Sequence, residues 1–124
     1  VVDDEPGMRD LLSRVLADAG HEVSTVESGE EALVLLARET FDVLVLDKNL
    51  PGIDGLMVLR LVRSHQPALR AIMITAYPSE TSNATARALG VLAYIAKPFG
   101  VLTMIDAVDD AVAAGRLAGR AVGP

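Results

Sequence analysis

Val43-Leu-Val-Leu-Asp47 is a run of four apolar residues closed by a charge. A strand with one solvated face alternates apolar and polar side chains; this one does not, so it needs cover on both faces, as a central strand of a parallel sheet does. Ala71-Ile-Met-Ile74 repeats the pattern, and Val91-Leu-Ala-Tyr-Ile-Ala96 is read the same way. Parallel neighbours need crossover connections, and the sequence between the runs has helical character. Asp54-Gly55 opens a helix through Leu56, Leu59 and Val62 that stops before Pro67, with Asp54 as its N-cap. Ser79 to Leu89 has only Ala84, Ala86, Ala88 and Leu89 as apolar residues among Ser, Thr and Asn, so this helix is expected to be the loosest.

Outward from these elements the alternation continues. Met8, Leu11, Leu12, Val15, Leu16 and Ala19 follow the spacing of one helix face, with Pro6 in the first turn and Gly20 at the stop. Glu22-Val-Ser-Thr-Val26 alternates and predicts an edge strand. Ser28-Gly-Glu-Glu31 is a capping box leading into Ala32, Leu33, Leu36 and Ala37. Leu102, Ile105, Val108 and Val112 predict the apolar face of the last helix. Before all of these, Val1 and Val2 alone precede Asp3, whereas a strand ordinarily has about five or six residues; the first strand is therefore expected to be represented only in part. Strand and helix alternate five times, a (βα)5 order that implies a parallel sheet covered by helices on both faces. Residues 1–114 read as one domain and 115–124, with three Gly and no amphipathic period, as a frayed helix end or the start of a linker to an output domain.

Composition narrows the chemistry. The chain has 124 residues, 51% hydrophobic, and a formal charge of -6, with no run of clustered Lys and Arg to hold a phosphate backbone, so contact with nucleic acid is not expected of this segment. There is no Cys, which rules out disulfides and thiolate metal sites. No apolar run approaches the roughly 20 residues that span a bilayer, so no membrane association is expected and a cytoplasmic location is the default.

In a parallel sheet all strands end at one edge, where ligands bind. That edge collects Asp3 and Asp4 from the first strand, Asp47 from the third, Thr75 from the fourth and Lys97 from the fifth. Neighbouring strands lie about 4.8 Å apart, so the carboxylates would crowd and repel. A hard divalent cation relieves that conflict, and Mg²⁺ typically combines one or two carboxylates with waters and phosphate oxygens. Lys97 and the Thr75 hydroxyl beside such a site suit a phosphoryl group.

Four segments, Val1-Val-Asp-Asp-Glu-Pro6, Leu46-Asp-Lys-Asn-Leu-Pro-Gly-Ile-Asp-Gly55, Ile74-Thr-Ala76 and Tyr94-Ile-Ala-Lys-Pro-Phe99, resemble the hallmark segments of response regulator receiver domains, in order and at suitable spacing. The resemblance implies a flavodoxin-like, doubly wound α/β fold with a five-stranded parallel sheet in the order 2-1-3-4-5. It implies a phosphorylation switch of a two-component system, not an enzyme with a separate substrate, although the domain takes part in its own phosphotransfer and autodephosphorylation. Asp47 resembles the phosphoacceptor that attacks a phosphohistidine of a sensor histidine kinase or phosphotransfer protein. Asp4, Asp47 and the backbone carbonyl of Asn49 would hold Mg²⁺ or Mn²⁺, with Asp3 acting directly or through water. Lys97 would neutralise transferred charge, and Thr75 would donate its hydroxyl to the phosphoryl group. Tyr94 would then turn inward and alter the surface of the fourth helix, fifth strand and fifth helix, also the implied surface for a homodimer. The Lys97-Pro98 bond is expected to be cis.

Two departures bear on kinetics. Asn49 and Tyr77 stand where the family tunes phosphate lifetime, and Lys48 is an uncommon basic residue directly after the phosphoacceptor. His21 and His65 read as solvated. Two rival readings carry different signatures. A haloacid-dehalogenase-like phosphohydrolase needs Asp-x-Asp, and Asp47-Lys-Asn49 has an amide at the second place. A pseudo-receiver would keep the fold as an interaction module without phosphorylation, which the intact acidic set with Thr75 and Lys97 disfavours.

Overall fold

The computed structural model describes residues 1–122, with side chains described to Arg116. Its elements are α1 (Pro6–Asp18), α2 (Gly29–Arg38), β1 (Val43–Asp47), α3 (Gly55–His65), β2 (Arg70–Thr75), α4 (Glu80–Ala88), β3 (Ala93–Ala96) and α5 (Val101–Val122). The sheet runs β1-β2-β3, all parallel. Val2 forms parallel bridges to Leu46 on one side and to Val26 on the other, which continues the sheet beyond β1. The spatial order is thus the Val26 segment, the Val2 segment, β1, β2, β3, the doubly wound 2-1-3-4-5 order of the flavodoxin-like α/β fold.

Side chains alternate across this sheet. Leu44, Leu46, Ala71 and Met73 point into one core with Ala32 and Leu36 of α2, Val58, Leu59 and Val62 of α3, and Ala86 of α4. Val45, Ile72 and Ile74 point into the other, with Leu12 and Leu16 of α1 and Met104, Val108 and Ala111 of α5. Val43–Leu46 of β1 and Ala71–Ile74 of β2 are apolar at every position because both faces of these strands are covered. Burying each of these large side chains stabilises the fold by roughly 1.5–3 kcal/mol.

Turn chemistry fixes the helix starts. Ser28 Oγ accepts the Glu31 N–H at 3.1 Å, and Glu31 returns a carboxylate to the Glu27 N–H rather than to Ser28 itself. Asp54 Oδ1 accepts the Met57 N–H at 2.9 Å, as its reading as an N-cap requires. Pro6 stands in the first turn of α1, whose N-cap is Glu5.

Several sequence readings need correction. Of Glu22–Val26 only Val26 joins the sheet, because the Val2 segment offers a single residue for it to pair with. Val91–Ala96 is not a strand buried on both faces: Val91 closes the turn after α4, and β3 spans only Ala93–Ala96, with Ala93, Tyr94 and Ile95 half-buried and Ala96 exposed, since it is the sheet's last strand. Leu102 is 74% exposed. The buried face of α5 runs Met104, Val108, Ala111, and Leu102 lies two residues from Met104, about 200° around the helix. α5 runs to Val122, and the last two residues of the segment read as a frayed helix end or linker start lie outside the described residues. His21 is not simply solvated, because its Nε2 lies 2.8 Å from Asp109 Oδ1 of α5.

Candidate functional site

The C-terminal edge of the sheet brings the candidate residues together. Asp47 pairs with Ile74 in register, Ile74 with Ile95, and Thr75 with Ala96, so Asp47 and Thr75 end adjacent strands at nearly one level, and Lys97 follows β3 directly. Alternation then sorts their side chains. Asp3, Asp47 and Lys97 have the parity of Val1, Val45 and Ile95, the residues on the α1/α5 face. Thr75 has the parity of Met73, on the other face.

Lys97 Nζ donates to Asp3 Oδ2 at 2.9 Å, to Asp47 Oδ2 at 3.0 Å and to Glu5 Oε1 at 3.0 Å. Asp3, Asp47 and Thr75 are buried, whereas Asp4 is exposed. Asp3 has no spare oxygen: Oδ1 accepts the Glu5 N–H at 2.9 Å while Oδ2 faces Lys97. Desolvation raises the pKa of Asp3, a tendency opposed by its bonds to the Glu5 backbone and Lys97 and reinforced by the Asp47 charge. For Lys97, burial favours the neutral amine, but the hydrogen bonds to Asp3, Asp47 and Glu5 outweigh it and hold the ammonium above its ordinary range.

One oxygen from each of Asp3, Asp4 and Asp47 lies within 4.8 Å of the others. An all-oxygen acidic donor set with one exposed member fits a hard divalent cation such as Mg²⁺, and receiver domains bind Mg²⁺ in their acidic pocket. Asp4 is the most open of the three, being exposed, whereas each oxygen of Asp3 and of Asp47 already accepts one hydrogen bond.

Asn49 sits between the acids and Thr75. Its N–H donates to Asp47 Oδ1 at 2.9 Å, and its side-chain Oδ1 accepts the Thr75 hydroxyl at 2.7 Å. Thr75 Oγ1 in turn accepts the Tyr77 N–H at 3.0 Å. Tyr94 is half-buried, with its hydroxyl against Ser82 Oγ of α4 and accepting the Ser79 N–H at 3.4 Å. The Lys97-Pro98 bond is cis, as expected. Gly55 permits the site's geometry: a Cβ there would lie 2.3 Å from the Asp47 carbonyl oxygen.

Sequence reading overlooked three participants. Glu5 stands inside the hallmark segment yet was not recognised as the third acceptor for Lys97. Arg9 in α1 donates from Nη1 to the Asp3 carbonyl at 2.8 Å while its Nη2 lies 3.8 Å from Glu27, partners that no local spacing signals. Ser82, the partner of Tyr94, gave no signal either, because a serine in a polar helix looks solvated.

A sequence profile described as the response regulator receiver domain matches residues 1–109. The chain is 38% identical over 108 residues to the response regulator protein FleR of Pseudomonas aeruginosa, covering 87% of this chain and 23% of FleR. It is 38% identical over 112 residues to the DNA-binding transcriptional regulator NtrC of Salmonella typhimurium, covering 90% of this chain and 24% of NtrC. The chain therefore spans about a quarter of the length of these relatives. Among solved structures, a CheY-like receiver domain protein of Methanospirillum hungatei superposes with a TM-score of 0.89 at 25% identity, covering 93% of this chain and 92% of that one. TrrA of Thermotoga maritima, solved in complex with Mg²⁺-BeF, gives 0.80 at 34% identity, covering 89% and 94%.

Proposed function

This chain belongs to the response regulator receiver domain family, and on that premise we propose that Asp47 is the phosphoacceptor of a two-component switch. The observation that carries the proposal is the placement of Lys97 Nζ at hydrogen-bond distance from both Asp3 and Asp47, beside the exposed Asp4.

Asp47 Oδ2 or Oδ1 attacks the phosphorus of a phosphohistidine on a sensor histidine kinase or phosphotransfer protein. The P–N bond breaks, its electron pair stays on the imidazole nitrogen, which takes up a proton, and an aspartyl phosphate forms. Asp4, Asp47 and the Asn49 carbonyl would hold the cation, with Asp3 acting directly or through water. When bound, Mg²⁺ would supply positive charge that offsets the phosphoryl charge during in-line transfer. Lys97, already within hydrogen-bond distance of Asp47 Oδ2, neutralises charge on the phosphoryl oxygens. Thr75 exchanges its bond to Asn49 for one to a phosphoryl oxygen. Tyr94 then leaves Ser82 and turns toward the vacated space, altering the face formed by α4, β3 and α5. That face would meet an output domain in the parent protein or a second copy of the domain. Water later attacks the phosphorus, the bond between phosphorus and the Asp47 oxygen breaks, and inorganic phosphate leaves the restored Asp47 carboxylate.

Incubation with Mg²⁺ and a small-molecule phosphodonor should give a phosphoryl mass adduct that the Asp47→Asn variant lacks. An adduct that persists in Asp47→Asn refutes the assignment. Absence of any adduct with small donors and kinases alike would favour the pseudo-receiver reading, and steady turnover of unrelated phosphate esters would favour a phosphohydrolase.

A further inference from the structure

Val26 donates its N–H to the Val1 carbonyl at 3.0 Å and accepts the Asp3 N–H at 3.2 Å, two successive rungs of a parallel ladder. The next rung would bring the Ser28 N–H to the Asp3 carbonyl. Ser28 is instead the N-cap of α2, and that bond does not form. Arg9 of α1 takes the place of the missing donor, with Nη1 reaching the Asp3 carbonyl oxygen at 2.8 Å.

That carbonyl belongs to the peptide unit joining Asp3 to Asp4. The unit is planar, so a donor that holds its oxygen fixes the plane and, with it, the direction in which the Asp4 side chain leaves the backbone. Asp3 and Asp47 are buried and held by hydrogen bonds to both carboxylate oxygens. Asp4 is exposed, and its place beside them depends on its backbone. The Arg9 side chain is only 19% exposed, and its Nη2 lies 3.8 Å from Glu27, the residue before Ser28. With Glu27 64% exposed, that ion pair adds little stability of its own. The shorter contact, to the Asp3 carbonyl, is the one that orders the guanidinium.

We propose that Arg9 is a positioning residue for the divalent cation, setting the Asp3–Asp4 peptide so that the Asp4 carboxylate is presented toward Asp3 and Asp47. The inference rests on the reading of these acids as the cation site, where one oxygen of each lies within 4.8 Å of the others. Groups that orient metal ligands typically change affinity by about tenfold to a hundredfold when removed. Charge alone predicts the opposite sign. A guanidinium beside three carboxylates repels a divalent cation, so its removal would tighten binding if position counted for nothing.

Calorimetric titration of the full 124-residue chain with MgCl₂ separates the two effects, with circular dichroism reporting the folded fraction of each variant. Arg9→Met removes donor and charge together and should raise the Mg²⁺ dissociation constant about tenfold or more. Arg9→Lys keeps the charge and a donor on a long stem, and should fall between Arg9→Met and the wild type. The Mg²⁺ concentration giving half-maximal phosphorylation of Asp47 should rise by the same factor as the dissociation constant. Because Arg9 acts through Asp4, whatever affinity Asp4→Ala retains should be little changed by adding Arg9→Met. Equal or tighter binding by Arg9→Met, beside a wild type that binds Mg²⁺, would overturn the proposal and leave the acidic site intact. Full additivity with Asp4→Ala, or a loss of binding matched by the unfolded fraction, would overturn it too. A wild type that fails to bind Mg²⁺ would overturn the reading of the acidic site itself, and the role of Arg9 with it.

Discussion

Replacing Lys97 by Met tests the electrostatics of the acidic edge. The Lys97 side chain is 9% exposed, that of Asp3 0% and that of Asp47 3%, so the charges it separates are poorly screened. Without the ammonium, carboxylate oxygens that lie within 4.8 Å of one another face each other unopposed. Coulomb's law with an effective dielectric of about 20 gives a repulsion of about 3.5 kcal/mol at that distance, in line with the roughly 3–5 kcal/mol lost when one partner of a buried pair is removed. Glu5 is 61% exposed, and its bond to Lys97 adds less than about 1 kcal/mol. The loss should depend on pH. Asp3 has a raised pKa in the fold, so the folded state binds its proton more tightly than the unfolded chain, and stability grows as pH falls through the folded value. Lys97 has a raised pKa too, so its contribution is fully present at neutral pH and disappears only above its ordinary range. The substitution removes the second effect and enlarges the first. Urea unfolding followed by far-UV circular dichroism in EDTA should therefore show a deficit of about 3 kcal/mol at pH 7. That deficit should shrink toward pH 5, by no more than about 1.4 kcal/mol per pH unit for one proton. A deficit below about 1 kcal/mol at pH 7, or one equal at both pH values, would refute the reasoning.

Gly55→Ala places a Cβ 2.3 Å from the Asp47 carbonyl oxygen, a backbone atom that cannot swing aside. Chemical denaturation should show a loss of about 1–3 kcal/mol or more, with slower phosphorylation of Asp47. Asn49→Ala strands the buried Thr75 hydroxyl, at a cost of about 1–3 kcal/mol; combining it with Thr75→Val should recover most of that loss in a double-mutant cycle. Mg²⁺ at a hundred times its dissociation constant should stabilise the wild-type domain by about 2.7 kcal/mol, an increment reversed by chelation and largely absent in Asp4→Ala. Leu12→Ala, in the core between α1 and the sheet, should cost about 2–5 kcal/mol by thermal or urea unfolding and leave Mg²⁺ affinity nearly unchanged.

The elements that read correctly are those whose signal is local. Four apolar residues ending in Asp47 identify a strand covered on both faces wherever it sits in the sheet, and Asp54 caps α3 through an N–H three residues away. Val91–Ala96 and Glu22–Val26 misled because their patterns describe apolar content or alternation and not the number of neighbours available to pair. Leu102 misled because a short helix start admits more than one apolar stripe, and only the sheet beneath selects Met104, Val108 and Ala111.

By itself the sequence determined that this is a parallel α/β domain with Asp3, Asp4, Asp47, Thr75 and Lys97 at one edge, because strand order along the chain and strand direction together carry every strand's last residue to the same side. Tertiary structure alone decided how those side chains divide their work. Lys97 reaches Asp3 across 94 positions of chain and Asp47 across 50, both from the α1/α5 face. Thr75, of opposite parity, turns instead to Asn49. Those pairings depend on register and facing between strands far apart in sequence, quantities that no local pattern of residues encodes.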